Sequence, residues 1–215
     1  FTASFFFLLL LFVPAVQAAT VQQYADIVYA AGTGTGYSSQ YPYGGYTATE
    51  ALGAPNSGWH GSTQWLPQYQ NGTSEWIQVE FATPVYADGV AIREAYGNGF
   101  VTQIDLVDLA DTLHTAWTGS DPSLPGTPVE FVTTWAQTTY LVKGVKIYVN
   151  TNHSTDWEGI DSVQIKGTIA AETTPPTGTI VINSAATYAT TTAVTLTLTC
   201  SDAASTCQAM RFSND

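Results

Sequence analysis

Glu75-Trp76-Ile77-Gln78-Val79-Glu80-Phe81 is the stretch that decides the fold. Ile77, Val79 and Phe81 alternate with Trp76, Gln78 and Glu80. This is the two-residue period of a strand with one face in a core and the other polar or tryptophan-bearing. After Thr83-Pro84 a second apolar run follows at residues 85–96, with a turn expected at Asp88-Gly89. Upstream, residues 24–30 read as a first strand. Downstream, residues 101–109, 113–118, 129–132, 140–149 and 160–166 complete the set. Strand formers dominate, Gly and Pro punctuate at short intervals, and no long amphipathic helix is evident. About eight short strands with turn signals between them predict an all-β chain whose main body is a jelly-roll β-sandwich.

The flanking segments set the domain plan. Residues 5–13 are a short apolar run followed by Val16-Gln17-Ala18, so residues 1–18 read as the end of a secretory signal peptide that is incomplete at its N-terminus. The run is too short to cross a bilayer. Residues 19–169 form the body. Residues 170–177, with Pro175-Pro176, read as a stiff extended linker. Residues 178–215 carry further strand patterns at 179–183, 193–199 and 210–212, too few to close an immunoglobulin-like sandwich. That segment is therefore cut short or completed by another chain. In an exported protein Cys200 and Cys207 are expected to pair as a disulfide; two reduced, buried thiols are the other reading.

Composition excludes some partners. The formal charge is −12 with only five Lys plus Arg. Nucleic acid is excluded, because binding it requires basic side chains against phosphates. An anionic membrane surface is disfavoured for the same reason, and membrane insertion is not expected. An acidic surface keeps the chain soluble and suits a cation.

Four stretches, in order along the body, carry a resemblance. They are Thr47-Ala48-Thr49-Glu50-Ala51-Leu52-Gly53-Ala54-Pro55-Asn56; residues 75–81 with Pro84-Val85-Tyr86; Val90-Ala91-Ile92-Arg93-Glu94-Ala95-Tyr96 with Gly99; and Gly159-Ile160-Asp161-Ser162-Val163-Gln164-Ile165-Lys166-Gly167. The set resembles the galactose-binding-domain-like superfamily, which includes discoidin domains and many carbohydrate-binding modules. The C-terminal piece, Leu196-Thr197-Leu198-Thr199-Cys200-Ser201-Asp202 with Cys207, resembles the start of a bacterial immunoglobulin-like repeat of the spacer kind. The first resemblance implies a structural calcium ion. Glu50 lies in the loop that resembles the family's ion-binding loop, and Glu158 and Asp161 flank the start of the last strand. The commonest pattern has a carboxylate where Ser162 stands here.

Sugar recognition needs flat aromatic faces against C–H surfaces, with amides and carboxylates for the hydroxyls. The long segment 32–74 supplies Tyr37, Tyr41, Tyr43, Tyr46, Trp59, His60, Trp65 and Tyr69. Trp59, His60, Trp65, Tyr69 and Tyr46 are the candidate ligand-binding residues, the two tryptophans foremost. The bland alternative is that these rings pack the loop onto the sheet. Glu94 falls on the inward face of its strand, so a buried carboxylate must find a partner there.

Catalytic motifs are lacking. Gly32-Thr33-Gly34-Thr35-Gly36 has no lysine or helix after it to make a phosphate loop. His60, His114 and His153 have no metal-ligand spacing, no Ser-His-Asp set is identifiable, and no pair of carboxylates is set for glycoside hydrolysis. The expected function is a non-catalytic, extracellular glycan-binding module that attaches a larger secreted or surface protein. Two alternatives stay open: a subunit or stalk of an extracellular fibre that self-associates through the incomplete C-terminal sandwich, and an accessory module of a downstream hydrolase.

Overall fold

The computed structural model describes residues 18–29, 35–171, 177–185, 193 and 195–201. Ala18–Ala170 is one compact unit. It contains β1 (Thr20–Tyr24), β2 (Ile27–Val28), β3 (Ser74–Tyr96), β4 (Val101–Asp108), β5 (Leu113–Thr118), β6 (Val129–Thr134), β7 (Val142–Asn150) and β8 (Gly159–Ile169). Every pairing among them is antiparallel. Among the described residues of this unit the one helical turn is a short 3-10 segment, Ala48–Ala51.

Strand β3 serves both layers of the sandwich. Its first half pairs with β7 from Ser74↔Asn150 to Val85↔Val142, and β7 leads on to β4 and β5. Its second half pairs with β8 on one side and β6 on the other, and β8 carries β1. A strand that passes from one sheet to the other needs a bend, which bulges supply. The alternation in residues 75–81 holds: Ile77, Val79 and Phe81 are buried. They share one core with Val90 and Ile92 from the second half, and with Ile104, Leu106, Val145, Ile147, Val163 and Ile165.

The sequence expectation is corrected at two points on β3. Thr83-Pro84 does not end the strand. Proline cannot donate to the ladder, so the register with β7 slips between Glu80 and Val85 and the strand continues. Asp88-Gly89 is not a turn but a bulge: Ala87 faces Gly167, Gly89 faces Lys166, and Asp88 is the extra residue. A Cβ on Gly89 would lie 2.9 Å from the Thr133 carbonyl oxygen, so glycine is there for close approach of β6. The first expected strand also divides. β1 ends at Tyr24, and Ala25 turns inward before β2 begins on β3.

The second unit contains β9 (Thr177–Ile182) and β10 (Leu196–Ser201), paired antiparallel from Leu196↔Ile182 to Ser201↔Thr177. Thr177, expected in the linker, opens β9. Cys200 lies on β10; Cys207 and the third expected strand lie outside the described residues, and with them the disulfide. Among the described residues no helix is long and apolar enough to cross a membrane.

Candidate functional site

The end of β3 and three loops meet at one end of the body. Tyr96 is the last residue of β3. The His60 amide donates to the Ala95 carbonyl at 3.1 Å, which brings residues 57–61 against it. His60 sits in the left-handed region at φ 60°, within the turn closed by Gly61 N–H donating to the Gly58 carbonyl at 2.9 Å. That backbone is costly for a non-glycine residue and concentrates at functional sites. It holds the imidazole over Tyr96, with ring centroids 3.7 Å apart. Trp59 stands edge-on to Tyr96 at 5.9 Å and lies 5.0 Å from His60. Trp59 and Tyr96 are half-buried and His60 is exposed, so the three rings form a shelf with a wet face.

A second aromatic group adjoins the first. Tyr41 packs edge-on to Tyr43, Tyr46 and Trp157 at 5.8, 5.6 and 5.4 Å. Gly97, with φ 66°, lets the chain after Tyr96 pass Trp157; a Cβ there would lie 2.2 Å from the Trp157 carbonyl oxygen. The Tyr96 hydroxyl lies 3.5 Å from Asp156 Oδ1. Burial, Asp156 and nearby Tyr46 all push that phenol above its ordinary range, so it stays a neutral donor. The shelf thus offers flat rings, a phenol and a carboxylate.

Asp161 fixes the root of this loop. It is fully buried, and its carboxylate accepts the Asn56 amide at 3.2 Å and the Ser57 amide at 3.1 Å. Burial raises its pKa while those two amides and Arg93 pull it down. Through those amides it holds the segment that leads into Trp59. Glu158 is fully buried, and neither carboxylate oxygen has a hydrogen-bond partner. Loss of solvent pushes its pKa up to about 9. Glu50 is half-buried on the 3-10 turn. Among the described residues no group of three or more His, Cys, Asp or Glu is gathered to hold a metal.

The structure therefore brings Trp59, His60 and Tyr46 to one end of the body, buries Trp65, and leaves Tyr69 exposed outside these ring contacts. Trp65 is 0% exposed. It forms a two-way backbone bridge with Ile160, at 2.8 and 3.0 Å, and its indole N–H donates to the Ser39 carbonyl at 3.1 Å. It is a core residue, not a ligand surface. Tyr69 is 54% exposed and enters none of the ring contacts described above. Tyr96, Asp156 and Trp157 went unrecognised as site residues. Their signal lies in position: an aromatic closing a strand before Gly97-Asn98-Gly99, and one in the loop that opens the last strand.

The described residues of the body form an antiparallel all-β sandwich of the jelly-roll kind that the strand pattern predicted. No family model matches the chain, and no curated protein matches it. Solved structures do. One is chitosan-binding module 1 from a chitosanase/glucanase of Paenibacillus sp. IK-5: 13% identity, 71% of this chain and 97% of that one, TM-score 0.44. Another is a truncated AlyQ with CBM32 and alginate lyase domains: 18% identity, 71% of this chain but 35% of that one, TM-score 0.48. A third is the family 32 CBM from C. perfringens NanJ in complex with galactose: 13% identity, 68% and 93% coverage, TM-score 0.46.

Proposed function

We propose that the body is a non-catalytic glycan-binding module whose ligand lies across the shelf of Trp59, His60 and Tyr96. The observation that carries this reading is the shelf itself: three rings from two chain segments, held at one end of a rigid sandwich, with one face open. Sugar rings stack on such faces, while the Tyr96 hydroxyl and Asp156 can bond hydroxyl groups. On this reading the chain is secreted or surface-attached, and its partner is a glycan or cell-surface polysaccharide. It serves a larger protein, an enzyme or an adhesive, by holding it on that surface.

The test is a glycan array probed with the full chain, followed by titration of the best ligand against Trp59→Ala and Tyr96→Ala. Each variant is expected to lose at least about ten-fold in affinity, corresponding to about 1.4 kcal/mol or more. A silent array, or a Trp59→Ala chain that binds as the wild type does, removes the reading.

Self-association is the second reading. Ile182, Leu196 and Leu198 are exposed on the β9–β10 sheet, and an open sheet edge invites a further strand. A concentration-dependent rise in mass by light scattering supports it; a monomer at every concentration removes it.

A further inference from the structure

We propose that the glycan site is extended and takes a linear, uncharged oligosaccharide, with one sugar on the shelf of Trp59, His60 and Tyr96 and a further sugar against Tyr43. This rests on the shelf being a glycan site and names the class of glycan that the site takes.

Tyr43 is 72% exposed, yet the turn that carries it is closed at both ends on one buried residue. The Tyr41 amide donates to the Leu66 carbonyl at 2.9 Å, and the Leu66 amide donates to the Tyr46 carbonyl at 3.3 Å. Leu66 is buried and follows Trp65, whose backbone is bridged to Ile160. Gly44, at φ 71°, lets the chain reverse within the turn. The Tyr43 ring stands edge-on to Tyr41, which Tyr46 and Trp157 brace in the same way. An exposed ring on a closed turn, with a braced neighbour, loses little freedom when a ligand stacks on it.

Two contacts join this turn to the shelf. A Cβ on Gly45 would lie 2.6 Å from the Ser62 carbonyl oxygen, so the turn runs against the segment that carries Trp59 and His60. The second contact is at Asp156, whose Oδ1 lies 3.5 Å from the Tyr96 hydroxyl and whose neighbour in the chain, Trp157, packs on Tyr41. The two aromatic groups are thus linked through a carboxylate. Sugar C–H faces stack on the rings, and the hydroxyls of a connected chain donate to Asp156.

Charge sets the class of sugar. The described lysines and arginine are engaged away from Asp156. Lys143 pairs with Glu80 and Asp111, Lys166 pairs with Asp88, and Lys146 lies over Trp76. Arg93 sits across from Glu130 and Ser162 on the neighbouring strands. A uronate would bring a second negative charge to Asp156 with no lysine or arginine to answer it, and like charges brought together oppose binding.

The test is calorimetric titration of the full chain with galacto-, gluco-, manno- and N-acetylchito-oligosaccharides, each from the monosaccharide to the hexasaccharide, and with the matching oligogalacturonates. In the neutral series that binds, affinity should rise at least about ten-fold from monosaccharide to trisaccharide and then level off. Tyr43→Ala should collapse that gain, so that its trisaccharide binds no tighter than its monosaccharide. Tyr43 is exposed, so the variant should keep the wild-type thermal midpoint. The galacturonates should bind at least about ten-fold more weakly than the neutral series. A wild-type trisaccharide no tighter than the monosaccharide, a length gain that survives Tyr43→Ala, or galacturonates that bind best would each overturn the proposal. The shelf itself would still stand if Trp59→Ala abolished what binding remained. Silence from every series would remove the shelf reading and this one with it.

Discussion

Trp59 and Trp65 stand six positions apart in one loop and carry the same side chain, yet they do opposite things. Trp65 pairs its backbone with Ile160 and gives its indole N–H to Ser39, inside the core. Ser39 is tied in turn to Glu75 on β3, its hydroxyl 2.8 Å from Glu75 Oε2. Trp59 touches only other rings of the shelf among the contacts described here, and keeps a wet face. A loop this long needs both kinds of anchor. One tryptophan closes it onto the sandwich, and the other is thereby held out where a ligand can reach it.

The comparison breaks most visibly by truncation. Trp65→Ala is expected to cost about 3–5 kcal/mol, the usual loss for a large buried aromatic, read by chemical denaturation. Trp59→Ala is expected to cost less than about 1 kcal/mol while removing glycan binding. Equal destabilisation by the two would mean that Trp59 is a packing residue and the shelf is not a binding surface.

Asp161 is the next lever, because it holds the approach to Trp59. Asp161→Ala leaves the part-buried Asn56 and Ser57 amides without their acceptor, a loss of about 1–3 kcal/mol in all, since water can reach this segment in part. Hydrogen exchange at those two amides should accelerate before exchange on β3 does. Unchanged protection at Asn56 and Ser57 would show that another group holds the loop.

How legible all this was in the sequence follows from the same contrast. The strands were legible because a period of two survives in the sequence wherever one face is buried, as in Ile77, Val79 and Phe81. Asp88-Gly89 misled because the same dipeptide serves a turn or a bulge, and only the partner strands decide which; here β6 approaches Gly89 too closely for a side chain. Glu94 could be placed on the inward face, but its partner, the Gly99 amide at 3.0 Å, lies past the end of the strand where no local pattern reaches. Trp65 was unreadable for that reason too: its burial depends on Ile160, far along the chain. Loop residues carry no periodicity of their own, so the sequence could nominate Trp59 and Trp65 but not rank them.

Glu158 gives a pH-dependent counterpart. In the unfolded chain its carboxyl ionises near 4.5, while in the fold burial lifts it to about 9. A group held above its unfolded value contributes fully below pH 4.5 and loses that contribution as pH rises toward 9. Glu158→Gln should therefore match the wild type in thermal midpoint at pH 4.5 and exceed it increasingly as pH rises to 9. A constant difference across that window would mean that Glu158 is ionised in the fold and has found a partner there.

The smallest expected effect is at His60, and it tests whether the loop is held or merely rests. At φ 60° a residue with a Cβ carries about 1–2 kcal/mol of local strain that glycine does not. The imidazole returns part of that through its contact with Tyr96, about 0.5–1.5 kcal/mol for an aromatic pair. His60→Gly removes strain and contact together and should leave stability nearly unchanged. His60→Ala removes the contact and keeps the strain, and should be the less stable of the two by about 1 kcal/mol. If alanine and glycine are equally tolerated, the turn relaxes to an ordinary backbone and nothing forces the ring over Tyr96. If alanine is worse, the Ala95 hydrogen bond and the Gly58–Gly61 turn hold His60 in place whether or not a ring is there, and the shelf is formed before any ligand arrives.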